Sequence, residues 1–186
     1  MTAPIVIVSG PPASGKSSLA SRLATDFSLP AITKDGIKET LLDTFVTVDA
    51  EDSKRVGRAA WAVLWHTLEV ELTAGRSVLL EGNFRADPDN GRLGRLAERF
   101  AFDAIQVHCF APVEVLVARY EARIGERHPG HADAERLLGL RDVLDPDLYV
   151  LALAGPLIRV DTRDFEGIDY DALRESVAQH LEKGRR

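Results

Sequence analysis

Residues Gly10-Pro11-Pro12-Ala13-Ser14-Gly15-Lys16-Ser17 fit the spacing G-x-x-x-x-G-K-[ST]. They lie directly after the apolar run Ile5-Val6-Ile7-Val8 and before a segment with helical spacing at Leu19, Leu23 and Phe27. A continuous apolar run wants cover on both faces, and the glycines let the backbone turn sharply. The helix that follows then points its free N–H groups and positive dipole end into the turn. Strand, glycine loop and helix in that order build an anion cradle. Loop amides surround phosphate oxygens, Lys16 reaches the outer phosphates, and the Ser17 hydroxyl is placed to ligate Mg2+. The expected site is for a nucleoside triphosphate, held by Gly10, Pro12, Ala13, Ser14, Gly15, Lys16, Ser17 and Ser18.

The rest of the chain repeats this alternation. Further strands are expected at Ala31–Thr33, Ser77–Leu80, Ala104–Phe110 and Leu157–Val160. Helical spacing of apolar residues runs through Glu51–Thr73 (Trp61, Leu64, Trp65, Leu68, Leu72), Val113–Ile124 and Tyr170–Leu181. A helix can also start at Gly36–Leu42. The strands are continuous apolar runs, so helices should cover both faces of a parallel sheet. No internal repeat or Pro/Ser-rich linker divides the 186 residues, which suits one domain spanning 1–186. Gly125–Asp133 is turn-like and reads as a loop within that domain.

A net charge of −6 and only five lysines disfavour a nucleic-acid-coating role, although a local basic cleft is compatible with them. The single cysteine, Cys109, excludes an internal disulfide and lies in an apolar run, as a buried thiol of a reducing compartment would. The N-terminus lacks the charged and apolar regions of a secretory signal, and no apolar run is long enough for a membrane span. The default expectation is a cytoplasmic protein without a membrane partner. Nothing in the pattern specifies an oligomeric state.

In open parallel sheets ligands gather at the carboxyl ends of the strands. Asp35 follows the second strand; it suits a helix N-cap and equally a general base facing the phosphates, and the roles are compatible. Lys38, one turn on, suits an anionic substrate group or a solvated helix face. Glu81 ends the third strand, where a carboxylate can serve the Mg2+ shell. Asn83 and Arg85 follow as substrate contacts, Arg being fitted to carboxylate or phosphate. Arg119, Arg123 and Arg127 recur every four residues after the fourth strand. That stripe reads as a lid over the transferring phosphoryl group, or as a charged face answered by Glu114, Glu121 and Glu126. The pair His128 and His131 around Pro129-Gly130 lacks a third metal ligand.

With these residues assembled, the chain resembles the P-loop kinases that phosphorylate hydroxyl groups. Among them are chloramphenicol phosphotransferase, zeta-toxin-type kinases, gluconate and adenylate kinases, and the kinase domain of polynucleotide 5′-hydroxyl kinase. Val6 to Ala20 is similar to their nucleotide-binding start and Thr33-Lys34-Asp35 to the segment that supplies the base. Leu80 to Arg85 resembles their third-strand end, Pro112 to Arg123 their lead-in to the lid, and Val160-Asp161-Thr162 their last strand. The resemblance implies a three-layer α/β fold with a five-stranded parallel sheet in order 2-3-1-4-5, a lid over about residues 119–140, and ATP with Mg2+. It also implies Lys16, Asp35, Arg123 and Arg127 as catalytic residues, Arg119 and Arg163 on the nucleotide, Asp35, Lys38, Asn83 and Arg85 on the substrate, and Ser17 and Glu81 at the metal. Two departures stand out: Glu81 where Asp is commoner, and Lys38 where polynucleotide kinases tend to carry Arg. The function expected is transfer of the ATP γ-phosphoryl group to a small-molecule hydroxyl. The alternatives are a polynucleotide 5′-kinase and an ATPase switch acting on a protein.

Overall fold

The apolar runs form the strands of one sheet. In the computed structural model, which describes residues 2–45 and 49–184, these are β1 (Ala3–Ser9), β2 (Ala31–Thr33), β3 (Val78–Glu81), β4 (Phe102–Phe110) and β5 (Leu157–Asp161). All neighbours pair in parallel, and the order is β2-β3-β1-β4-β5, as expected. The helices are α1 (Lys16–Phe27), α2 (Lys34–Leu42), α3 (Ala50–Thr73), α4 (Ala86–Arg99), α5 (Val113–Ala122), the short α6 (Asp133–Arg136) and α7 (Tyr170–Gly184).

Side chains along a strand alternate between the two faces, so each continuous run feeds two cores. Ile5, Ile7, Val78, Leu80 and Ala104 pack against Leu64, Trp65, Leu68 and Leu72 of α3 and Leu93 and Leu96 of α4. Val6, Val8, Leu79, Ile105, Val107 and Cys109 face Leu19 and Leu23 of α1 and Leu173, Val177 and Leu181 of α7. Each fully buried aliphatic side chain stabilises this sandwich by about 1.5–3 kcal/mol. No helix among the described residues is long and apolar enough to cross a membrane.

Two segments depart from the expected pattern. The spacing of residues 86–99 signals no helix, yet α4 forms there. Its segment is polar and interrupted by Gly91 and Gly94, and only Asp89, Leu93 and Leu96 are buried. Burial of those two leucines against the sheet overrides weak local propensity. After β4 the expected helix Val113–Ile124 ends at Ala122, and the chain continues mainly as short 3-10 turns at Pro129–His131, Leu137–Gly139, Arg141–Val143 and Pro146–Tyr149. Leu140 and Leu144 join Ala111, Leu116 and Tyr120 in a third apolar cluster. That cluster holds the arginine-bearing stretch over the carboxyl edge of the sheet.

Candidate active site

The glycine loop connects β1 to α1 with backbone that side chains would obstruct. Gly10 has φ +148°, and a Cβ there would lie 2.2 Å from the Cys109 carbonyl oxygen. Gly15 takes the left-handed φ +73° immediately before α1. Within the cradle the Ser14 hydroxyl is buried without a hydrogen-bond partner among the described residues. The buried Lys16 ammonium donates to the Pro11 carbonyl at 3.3 Å, a long contact. An orphaned hydroxyl, a loosely held ammonium and converging loop amides are the donor set that phosphate oxygens satisfy.

Parallel register brings the carboxylates to this loop. Val8 pairs with Glu81, and Glu81 pairs in turn with Thr33, so the ends of β1, β3 and β2 lie side by side. The Ser17 Oγ donates to Glu81 Oε1 at 3.1 Å. Burial pushes the Glu81 carboxyl above its ordinary value, against the pull of Lys16. Among the described residues no group of three or more His, Cys, Asp or Glu side chains is set to hold a metal. A hydroxyl and one carboxylate suffice, however, for a Mg2+ that takes its other ligands from phosphates and water.

Asp35 lies in the first turn of α2, where its charge favours the helix dipole; the cap position itself belongs to Thr33. Its carboxylate is gripped from two sides, by Lys34 Nζ at 2.8 Å and Arg127 Nη2 at 2.7 Å. Burial alone would raise its pKa, but these two cations outweigh it and hold the carboxyl well below the usual range. Arg127 also reaches Asp133 at 3.4 Å and Glu39 at 3.9 Å, and lies 3.0 Å from the buried His131 ring. His131 joins this network as a neutral ring: its Nε2 lies 2.8 Å from Glu39, and burial with Arg127 nearby lowers its pKa to about 4. Arg123 lies over the Tyr120 ring at 4.6 Å, its buried Nε has no hydrogen-bond partner among the described residues, and burial beside Arg127 lowers its pKa.

One cleft of about 1060 Å3 takes in Pro12, Lys16, Ser17, Asp35, Glu81, Asn83, Arg85, Arg123 and Arg127. Arg119 and Arg163 stand apart from its walls. Arg119 donates to the carbonyls of Thr162 at 2.8 Å and Arg163 at 3.2 Å, tying α5 to the loop after β5, and Arg163 pairs with Asp161 at 2.8 Å. They border the opposite side of the loop, where Phe165 packs close to Gly15.

Lys38 departs most from its expected place. It is fully buried, off the cleft walls, and its Nζ donates to Ser53 Oγ of α3 at 2.7 Å. Burial, with Arg136 and Lys34 nearby, lowers its pKa to about 8. It links α2 to α3 rather than facing a substrate.

The long Trp-bearing helix reaches the cleft, but not with both tryptophans. Trp65 is core, as its apolar stripe implies, whereas Trp61 is half-buried and lines the cleft with Lys54, Arg58, Arg136 and Tyr149. The i, i+4, i+7 spacing of Lys54, Arg58 and Trp61 was available as a signal, but it reads equally as the solvated side of a long helix. The sequence suggests residues 35–49, the long helix with Trp61 and Trp65, and residues 83–92 as the segments that shape a substrate pocket; of these, residues 46–48 lie outside the described residues.

Sheet order, glycine loop and the carboxylates at the strand ends define the class: this is the α/β fold of P-loop kinases. More particularly, the chain belongs to the AAA domain family, whose model matches residues 5–146. It is similar to a candidate kinase from Chloroflexus aurantiacus J-10-fl, with 41% identity over 97% of this chain and 100% of that one, at a TM-score of 0.87. Kti12 from Chaetomium thermophilum, solved in complex with ADP-AlF3, shares 19% identity over 97% and 96% of the chains at a TM-score of 0.61. A gluconokinase from Sinorhizobium meliloti 1021 shares 17% over 98% and 92%, at 0.50. The last two likenesses concern the fold alone. No curated protein matches the chain.

Proposed function

We propose that the chain is a phosphotransferase that moves the γ-phosphoryl group of ATP, with Mg2+, onto a hydroxyl of a small molecule. The observation that supports this most is the meeting of Lys16, Ser17, Glu81 and Asp35 in one cleft from the ends of three adjacent strands. Mg-bound ATP supplies the phosphoryl group and a leaving group whose charge is already partly neutralised. The loop amides and Lys16 bind the phosphate oxygens, Ser17 and Glu81 serve the metal, and Arg119 and Arg163 border the nucleotide. Asp35 orients the acceptor hydroxyl and takes its proton, a contribution of about 10²–10⁴-fold.

In the structure Asp35 is bound by Arg127, which weakens it as a base. Transfer of Arg127 from Asp35 to the phosphates would raise the basicity of Asp35 and, with Arg123, oppose charge growing on the phosphoryl group. Residues 119–140 act in this reading as the lid of a single domain. Asn83 and Arg85 face the acceptor.

The test is incubation with MgATP and a fractionated metabolite extract, with mass spectrometry for a new phosphorylated species. Asp35→Asn should slow transfer by at least about a hundredfold while nucleotide binding persists. Unchanged transfer in that variant would remove Asp35 from the mechanism. ATP hydrolysis that responds only to an added protein would point to a switch instead of a kinase.

A further inference from the structure

The cleft is charged out of proportion to the chain. Eight lysine and arginine side chains and five carboxylates line it, an excess of three positive charges in a protein of net charge −6. The phosphate end accounts for Lys16, Arg123 and Arg127, and Lys34 is taken by Asp35. Lys54, Arg58, Arg85 and Arg136 remain, against Glu39 and Glu135. Glu39 hydrogen-bonds to the neutral His131 ring and keeps its charge, so four cations face two carboxylates.

Topology decides which ligand meets these cations. With order β2-β3-β1-β4-β5, the phosphate loop after β1 separates the β5 side, bordered by Arg119 and Arg163, from the β2–β3 side. Arg85 follows β3, and α3 brings Ala50, Lys54, Gly57, Arg58 and Trp61 to the cleft on one helical stripe. Gly57 leaves open space where a side chain would stand. The Trp61 indole edge lies beside Gly82, and so does the stem of Lys34, whose ammonium holds Asp35. An indole ring that lines the cleft therefore lies close to the side chain that holds the base, with two cations one and two turns along the same helix. Lys54 and Arg58 share one exposed partner, Glu51, at 3.4 and 3.6 Å, contacts of little strength that a ligand can replace.

We infer that the acceptor is an alcohol with a flat apolar body and a carboxylate or phosphate group, its body against Trp61 and its anion on Lys54 and Arg58. This rests on the phosphotransferase reading for the fate of the hydroxyl, but the binding does not. At about 1060 Å3 the cleft exceeds the common range of about 300–1,000 Å3 for single small-ligand pockets, which leaves room for such an acceptor beside a triphosphate.

The test compares probes that differ in charge: 4-(hydroxymethyl)benzoate and 4-(hydroxymethyl)phenyl phosphate against benzyl alcohol. Quenching of tryptophan fluorescence with Mg2+ and a non-hydrolysable ATP analogue present reads binding, and mass spectrometry after MgATP addition reads transfer. One or both anionic probes should bind at least about tenfold more tightly than benzyl alcohol. The double variant Lys54→Ala, Arg58→Ala, altered at two exposed sites, should bring the probes within about twofold of each other without changing affinity for the analogue. Trp61→Phe should abolish the quench, leaving the buried Trp65 unresponsive. Equal binding of benzyl alcohol, a preference that survives in the double variant, or no quench by any probe would overturn the inference. Transfer to benzyl alcohol as efficient as to the anions would sink the inference and keep the kinase. Charge-selective binding without transfer would keep the pocket and sink the kinase.

Discussion

Replacing Lys38 with methionine separates a structural lysine from a substrate lysine. Its ammonium is fully buried, with Ser53 Oγ as its hydrogen-bond partner at 2.7 Å. The fold lowers its pKa from 10.5 to about 8, burial being the largest cause and Arg136 the next. Below pH 8 both folded and unfolded chains carry the proton, and the native state bears the whole cost of the buried charge, roughly 3 kcal/mol. Between pH 8 and 10.5 the unfolded chain binds more protons than the native one, so this cost fades as pH rises. By pH 9.5 less than half of it is left. Lys38→Met removes the titration and loses the bond to Ser53, a pH-independent loss of about 1 kcal/mol. The variant should therefore be more stable than the parent by about 2 kcal/mol at pH 7, with nearly the whole advantage gone at pH 9.5. Urea unfolding followed by tryptophan fluorescence at the two pH values measures it, and thermal melts should show the gap closing by about 4–8 °C. Parallel stability–pH curves for parent and variant would refute the reasoning. A large rise in KM for the acceptor would return Lys38 to the substrate site.

Other perturbations address the cleft. Gly10→Ala would drive a Cβ into the Cys109 carbonyl of β4 at a φ that alanine rarely adopts, so calorimetry should find nucleotide binding lost. In the proposed mechanism Glu81 can serve the metal only when ionised, and burial raises its pKa, so the transfer rate should begin to fall on acidification at a higher pH than for an exposed carboxylate. Glu81→Gln should lower the rate and erase that acid limb. Arg127→Ala frees Asp35 of one cation yet, in the proposed mechanism, removes charge from the transition state. The second effect should dominate, with kcat falling about 10²–10³-fold in steady-state assays.

Much of the site was readable because it is local. The strand–loop–helix order around Lys16 needs only neighbouring residues, and Asp35 and Glu81 stand out as polar residues at the ends of apolar runs. The glycine pattern and apolar periodicity also implied parallel strands with helices on both faces. Residues whose role depends on distant neighbours were not readable. Lys38 and Arg85 look alike as exposed cations near strand ends, but Ser53 of α3 claims one and the cleft keeps the other. Trp61 and Trp65 occupy one apolar stripe and Phe84 packs edge-on against both, yet the folded chain seals Trp65 in the core and leaves Trp61 lining the cleft. The helix α4 was invisible because two leucines carry its packing.

By itself the sequence determined the anion cradle and the layered sheet, since both follow from short-range sterics and from burial periodicity. Tertiary structure alone decided that Arg127, 92 residues further along the chain, closes on Asp35, and that cations from α3 and the β3 end line one cleft. Charge acts through space rather than along the chain, so these pairings exist only once the strands have fixed their order.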